Sequence, residues 1–218
     1  MKTIGVILSG AGYLDGAEIQ ESVLALLAID RAGAVAAVYA PDIKLAEFDH
    51  KSGRPTGAER NVLLESARIA RGKIGDLAAV KGTDVDGWVL PGGFGAAKNL
   101  SDFATKGAHA VVHKDVSRVL REAFAAQIPV GACCIAPAVV AAAAKGSTRL
   151  RLTIGNDPDT AKQIAAMGHT HVECAVDDVV VDNERKVVTS PAYMLDAPIS
   201  AVAKGITKMV EQVIAWIE

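Results

Sequence analysis

Short apolar runs alternate with longer amphipathic stretches along the chain. TIGVILS (3–9) and VAAVYAP (35–41) are unbroken apolar segments of strand length, which predicts buried strands. Between them, Ile19, Val23, Leu26, Leu27 and Ile29 recur at roughly helical spacing from Glu18 to Ala32, and Gly33 follows as a stop signal. Strand, helix and strand in that order predict a βαβ unit and a parallel sheet.

The alternation continues. GWVLPGG (87–93), IPVGA (128–132) and RLTIG (151–155) read as further strands. Helices are predicted over His113 to Gln127, Ala136 to Lys145, Thr160 to Met167 and Ile199 to Ile217, with Pro137 tolerated in a first turn. DVVVDNERKVVTS reads as a hairpin turning at Asp182-Asn183-Glu184. The segment 42–80 departs from the pattern, being polar at first (EFDHKSGRPTGAER) and then helical (NVLLESARIARG). It reads as an insertion on a doubly wound, mostly parallel sheet, either a lid or a surface excursion, within one domain spanning 1–218.

Composition narrows the class. Lys and Arg number 23 against 25 Asp and Glu, so electrostatics gives no reason to expect nucleic acid or an anionic membrane as partner. No apolar stretch is long enough to span a bilayer, and the apolar run at the start is too short for a secretory signal. Three cysteines, two of them adjacent, make a poor disulfide framework. A reduced, cytoplasmic setting follows.

Those adjacent cysteines carry the candidate chemistry. In open α/β sheets, sites form beyond the carboxyl ends of the strands. GACCIAP (131–137) lies there, as do the loops after the strands at 3–9 and 87–91. A nucleophile on a tight strand-to-helix turn needs small residues two before and two after it. Cys134 has Ala132 and Ala136; Cys133 has Gly131 and the bulky Ile135. Cys134 therefore fits the turn, and Cys133 is expected to point into the core. The helix N-terminus at Cys134 is expected to favour its thiolate. The bland alternative is a pair of inert, buried thiols.

A thiol nucleophile needs oxyanion donors and a proton partner. The backbone N–H of Ile135 and that of Gly93, in the Gly92-Gly93 loop, are the candidate donors. Glu18 and Glu21 lie three apart on one helix face and are the candidate acids, although acids at a helix start also serve the dipole. No histidine adjoins Cys134. Gly10-Ala11-Gly12 suggests a dinucleotide loop, but Asp15 stands where the third glycine is needed. Cysteine and histidine spacing does not suit zinc. No metal and no cofactor is expected. Asn99, Arg60 and Asp157 are polar residues that could line a pocket.

Taken together, ILSGAGYLDGAEIQE, RNVLLESARIARG, LPGGFGAAKNLSDFA, CIAPA, RLTIGNDPDTA, VDDVVVD and TSPAYML resemble the PfpI/ThiJ superfamily, and within it the ElbB branch of isoprenoid biosynthesis glyoxalases. The resemblance runs over nearly the whole chain. It implies a flavodoxin-like, class I glutamine amidotransferase-like fold sandwiched by helices. It also implies Cys134 as nucleophile, Glu21 and not Glu18 as its acid, and Gly93 and Ile135 as oxyanion donors. The activity implied is cofactor-independent conversion of glyoxal, or a similar small dicarbonyl, to a hydroxy acid such as glycolate, by a homodimer. One departure is plain: peptidase and amidotransferase relatives carry a triad histidine, and here Ile135 follows the cysteine. The rival readings are a non-enzymatic thiol redox sensor and an amidotransferase subunit without its partner.

Overall fold

The computed structural model describes residues 1–217. In chain order the first half contains β1 (Thr3–Ile7), α1 (Ile19–Arg31), β2 (Val35–Ala40), β3 (Lys44–Asp49), β4 (Arg54–Asn61), α2 (Val62–Ile69), β5 (Gly75–Asp76), β6 (Gly87–Leu90), α3 (Phe94–Lys98) and α4 (Phe103–Lys106). The second half contains α5 (Lys114–Ala125), β7 (Val130–Cys133), α6 (Ala136–Ala144), β8 (Arg151–Leu152), α7 (Pro158–Ala166), β9 (Thr170–His171), β10 (Val180–Asp182), β11 (Val187–Ser190) and α8 (Ile199–Ala215).

Seven strands form the central sheet in the order β10-β11-β7-β6-β1-β2-β5. All are parallel except β10, which runs antiparallel to β11. This is the doubly wound α/β architecture expected. Side chains alternate between faces. Ile7, Trp88, Leu90, Val130 and Ala132 join the cluster formed with α5 and α6, while Ile4, Val6, Val89 and Cys133 join the one formed with α1 and α8. Each large aliphatic side chain buried this way stabilises by about 1.5–3 kcal/mol.

Helix starts are set by local side chains. Glu18 caps α1, Asn61 caps α2 and Asp157 caps α7, each accepting from a backbone N–H three residues on. Helix α6 is buried along its whole length, which its run of alanines and valines permits. No helix among the described residues is long and apolar enough to cross a membrane.

Three expectations are corrected. RLTIG does not join the central sheet; only Arg151–Leu152 is strand, paired with β9 in a small separate sheet. The Thr153 N–H goes instead to the Thr189 hydroxyl at 2.8 Å, and Gly155, at φ 93°, turns the chain away. The segment 42–80 is not wholly an insertion. It holds the β3–β4 hairpin and α2, then returns to the central sheet as the edge strand β5 against β2. Between β6 and α5, the short helices α3 and α4 lie where no element was expected; both are too short for an apolar period to show.

Candidate active site

The sheet order sets β7, β6 and β1 side by side, so the three loops singled out in the sequence meet at one end. Strand β7 ends at Cys133 and α6 begins at Ala136, leaving Cys134 and Ile135 to make the turn. Cys134 sits at φ 59°, in the left-handed region that a residue with a Cβ rarely adopts. Such a conformation costs on the order of 1–3 kcal/mol and persists only where its surroundings enforce it. Its N–H donates to the Ser190 carbonyl at 3.0 Å, tying the turn to the end of β11.

A cleft of about 670 Å³ opens above this turn, lined by Tyr13, Glu18, Gln20, Gly93, Phe94, Cys134, Ile135, Asp157, Thr160, Tyr193 and Met194. Cys134 is only 7% exposed, so the sulfur is reached through the cleft and does not stand clear at the crest of the sheet.

Glu21 is fully buried behind the sulfur. Its Oε2 accepts from the Gly92 N–H at 2.9 Å and its Oε1 from the Tyr193 N–H at 3.2 Å. Burial, with Glu18 adding, lifts its pKa to about 7, against the pull of the Tyr193 and Gly92 N–H groups and of a hydrogen bond with Cys134. Glu18 has a different job: its Oε2 accepts from the Glu21 N–H at 2.6 Å, capping α1 and fixing Glu21 in place. Its own pKa is raised, chiefly by burial.

The paired glycines are there for space. A Cβ on Gly92 would lie 2.4 Å from the Cys134 Cβ and 2.9 Å from both its Sγ and the Glu21 Oε2. A Cβ on Gly93 would lie 2.4 Å from the Glu18 nitrogen, and its φ of 92° also favours glycine. The N–H groups of Gly93 and Ile135 both bond toward the Cys134 sulfur and lower its pKa.

Two expectations about the cysteines are corrected. Cys133 is fully buried, but not as a plain hydrophobe: its Sγ lies 3.7 Å from the Glu21 Oε2, so two thiols share one carboxyl. The Cys134 thiolate is not favoured at rest. Burial first, then the Glu21 charge, push the thiol well above its ordinary range and outweigh the two N–H groups.

The remaining polar candidates divide. Asp157 lines the cleft while capping α7. Asn99 holds the β1–α1 loop, donating to the carbonyls of Ser9 at 2.9 Å and Asp15 at 2.7 Å. Arg60 pins the β3–β4 hairpin to that same loop through Asp15 at 2.6 Å, and also pairs with Glu65 at 2.6 Å. Asp15, which spoiled the dinucleotide pattern, is thus a buried anchor. The 42–80 segment reaches the cleft at one remove, where His50 packs edge-on against Tyr13. No histidine lines the cleft. Among the described residues no cluster of three or more His, Cys, Asp or Glu could hold a metal ion.

Tyr193, Met194 and Gln20 were not anticipated. Tyr193 and Met194 follow β11, which is the neighbour of β7, so its loop must reach the same end of the sheet. The Tyr193 hydroxyl hydrogen-bonds the Gln20 side chain across the cleft.

A parallel sheet with a thiol on a strained turn, an acid behind it and a Gly-Gly loop over it defines a class I glutamine amidotransferase-like protein. More narrowly, the chain belongs to the glutamine amidotransferase-like class 1 family. It is 42% identical over 222 residues to the human mitochondrial glutamine amidotransferase-like class 1 domain-containing protein 3, covering 97% of this chain and 82% of that one. The crystal structure of an isoprenoid biosynthesis protein with an amidotransferase-like domain from Ehrlichia chaffeensis superposes with a TM-score of 0.94 at 35% identity, covering all of both chains. Glyoxalase III from Candida albicans matches with a TM-score of 0.64 at 17% identity, over 100% of this chain and 98% of that one; at such identity the likeness speaks for the fold alone. No family model matches the chain.

Proposed function

We propose that the protein is a cofactor-independent glyoxalase acting on glyoxal or a similar small dicarbonyl. The observation that carries this reading is geometric: the fully buried Glu21 carboxyl, its pKa raised by burial to about 7, lies directly behind the thiol that opens on the cleft. Such a carboxyl exchanges a proton readily at neutral pH.

As the Cys134 sulfur attacks one aldehyde carbon, the C–S bond forms and the thiol proton passes to Glu21. The oxygen of the new hemithioacetal takes its negative charge against the N–H groups of Gly93 and Ile135, then a proton. Glu21 carries a proton from the first carbon to the second through an enediol. The first carbon is thereby oxidised to a thioester and the second reduced to an alcohol. Water cleaves the thioester, releasing the hydroxy acid and restoring the thiol. No outside oxidant or reductant enters.

A protonated resting thiol fits this chemistry, because the proton it gives up is the one the next step needs. It fits a redox sensor less well, since oxidation proceeds through an exposed thiolate. A glutaminase is disfavoured by the lack of a histidine at the cleft, which leaves a leaving amine without a ready acid. Free thiols suit a reducing compartment; the human relative's name points to mitochondria and the sequence to the cytoplasm. Dimer formation is supported by Ile19, Val23 and Leu27, which are 47%, 50% and 38% exposed along one face of α1.

Steady-state kinetics on a dicarbonyl panel test the reading. Cys134→Ser is expected to lower glyoxal turnover by on the order of 10³-fold or more. Full activity in that variant removes the nucleophile. Val23→Asp is expected to shift the mass measured by light scattering from dimer to monomer.

A further inference from the structure

At the opposite end of β7 and β11 lies a second cleft, of about 510 Å³. Arg121, Arg149 and Arg185 border it, together with Gln127, Ser147 and Thr148. Among the described residues none of these three guanidinium groups has a carboxylate within salt-bridge distance, although the chain has more acids than bases. Three exposed guanidinium groups without a carboxylate partner make the cleft electropositive, and such a cleft attracts an anion.

The groups are also held ready. Arg121 uses its Nε on the Ala143 carbonyl at 3.3 Å, which leaves its two Nη atoms for a ligand. Arg149 uses Nη2 on the Thr170 hydroxyl at 3.1 Å. Arg185, on the turn between β10 and β11, makes no side-chain bond among the described residues. The nearest acid on that turn, Asp182, is occupied by the backbone N–H groups of Arg151 and Arg185, while Glu184 lines an adjoining groove. The Ala144 carbonyl at the end of α6, which would repel an anion, is covered by the N–H groups of Ser147 and Thr148 and by the Ser147 hydroxyl. The Thr148 Oγ1 is buried and has no hydrogen-bond partner among the described residues. A buried hydroxyl left unpaired is costly, and a ligand oxygen would satisfy it.

We propose that this cleft binds a small molecule through a diphosphate group. Guanidinium forks match phosphate oxygens two at a time, and three of them exceed what a single carboxylate balances. The space exceeds that of one orthophosphate, and the half-buried Phe124 also borders it. The site is separate from the thiol chemistry and does not depend on it.

Titration calorimetry on the full chain with inorganic pyrophosphate, in about 0.15 M salt so that loose surface attraction is screened, tests the proposal. Orthophosphate and sulfate serve as comparison anions. Saturable one-site binding is expected, tighter for pyrophosphate than for either comparison anion. Arg185→Glu is expected to weaken it at least about tenfold, the loss of one charge-assisted contact, while glyoxal turnover stays unchanged. Arg185 carries no structural bond, so this variant is expected to fold; Arg121→Ala provides a second weakening variant. Absence of binding by the unmodified chain overturns the proposal. So does equal affinity in Arg185→Glu, or sulfate binding as tightly as pyrophosphate.

Discussion

The two clefts share strands but treat charge in opposite ways. At the carboxyl ends of β7 and β11, the buried Glu21 and the half-buried Glu18 face a thiol, and no Lys or Arg lines the space. At the amino ends of the same strands, three arginines border a cleft, and among the described residues no acid pairs with them. In the first, both oxygens of the buried acid are hydrogen-bonded; in the second, the buried hydroxyl of Thr148 has no partner among the described residues. The first cleft is therefore suited to a small uncharged molecule, since its acids would repel a carboxylate. Under the proposed glyoxalase reading, that would also help the hydroxy-acid product to leave. The second is incomplete until something negative enters it.

Among changes that leave every reacting group in place, the largest expected effect comes from crowding the first cleft. Gly92→Ala would drive a methyl group between the Cys134 sulfur and the Glu21 carboxyl. Overpacking of that kind costs about 1–3 kcal/mol, and a displacement of about 1 Å at reacting groups costs roughly 100-fold in rate. Glyoxal turnover should fall accordingly while pyrophosphate binding persists. Loss of both would show that the clefts are not independent.

Charge separates them next. The Glu21 pKa rises on folding from 4.5 to about 7. Between those values the folded chain binds more protons than the unfolded one, so stability falls as pH rises through this window, and the penalty is complete above it. At 1.36 kcal/mol per pKa unit, the burden amounts to about 3 kcal/mol. Glu21→Gln removes it. Denaturant unfolding should show the variant gaining on the unmodified chain by about 3 kcal/mol between roughly pH 4 and pH 8. A pH-independent difference would mean that Glu21 does not titrate there. The same substitution should stop turnover and leave Cys134 open to alkylation.

The two ends of the molecule were not equally legible in the sequence. Strands β1, β2, β6 and β7 announce themselves as apolar runs, and the small residues around Cys134 follow from the steric demand of one tight turn. Glu21 was separable from Glu18 only by resemblance; the physical reason is that Glu18 sits at the cap while Glu21, three residues on in the first turn, faces inward. Tyr193 was missed because neighbourhood in the sheet, β11 beside β7, is not written in chain order. The arginine cleft was invisible for the same reason. Arg121, Arg149 and Arg185 lie on a helix end, a loop and a hairpin turn, and only the fold gathers them. The raised thiol pKa was misjudged because burial is a tertiary quantity, whereas a helix start can be seen locally.

The smallest effect sharpens the comparison most. Thr148→Val keeps the shape of the side chain and deletes only its hydroxyl. Where a hydroxyl is buried and unpaired, its removal relieves a desolvation cost, so the ligand-free protein should gain on the order of 1 kcal/mol in denaturant unfolding. If a phosphate oxygen is the missing partner, the same change should weaken pyrophosphate about three- to fivefold, the worth of one hydrogen bond. Stability and affinity would then move in opposite directions from a single atom, as they do where a binding group is held unsatisfied for its ligand. A hydroxyl that merely sits in a packing defect would give the stability gain with affinity unchanged. That result would leave the arginines holding the anion without Thr148.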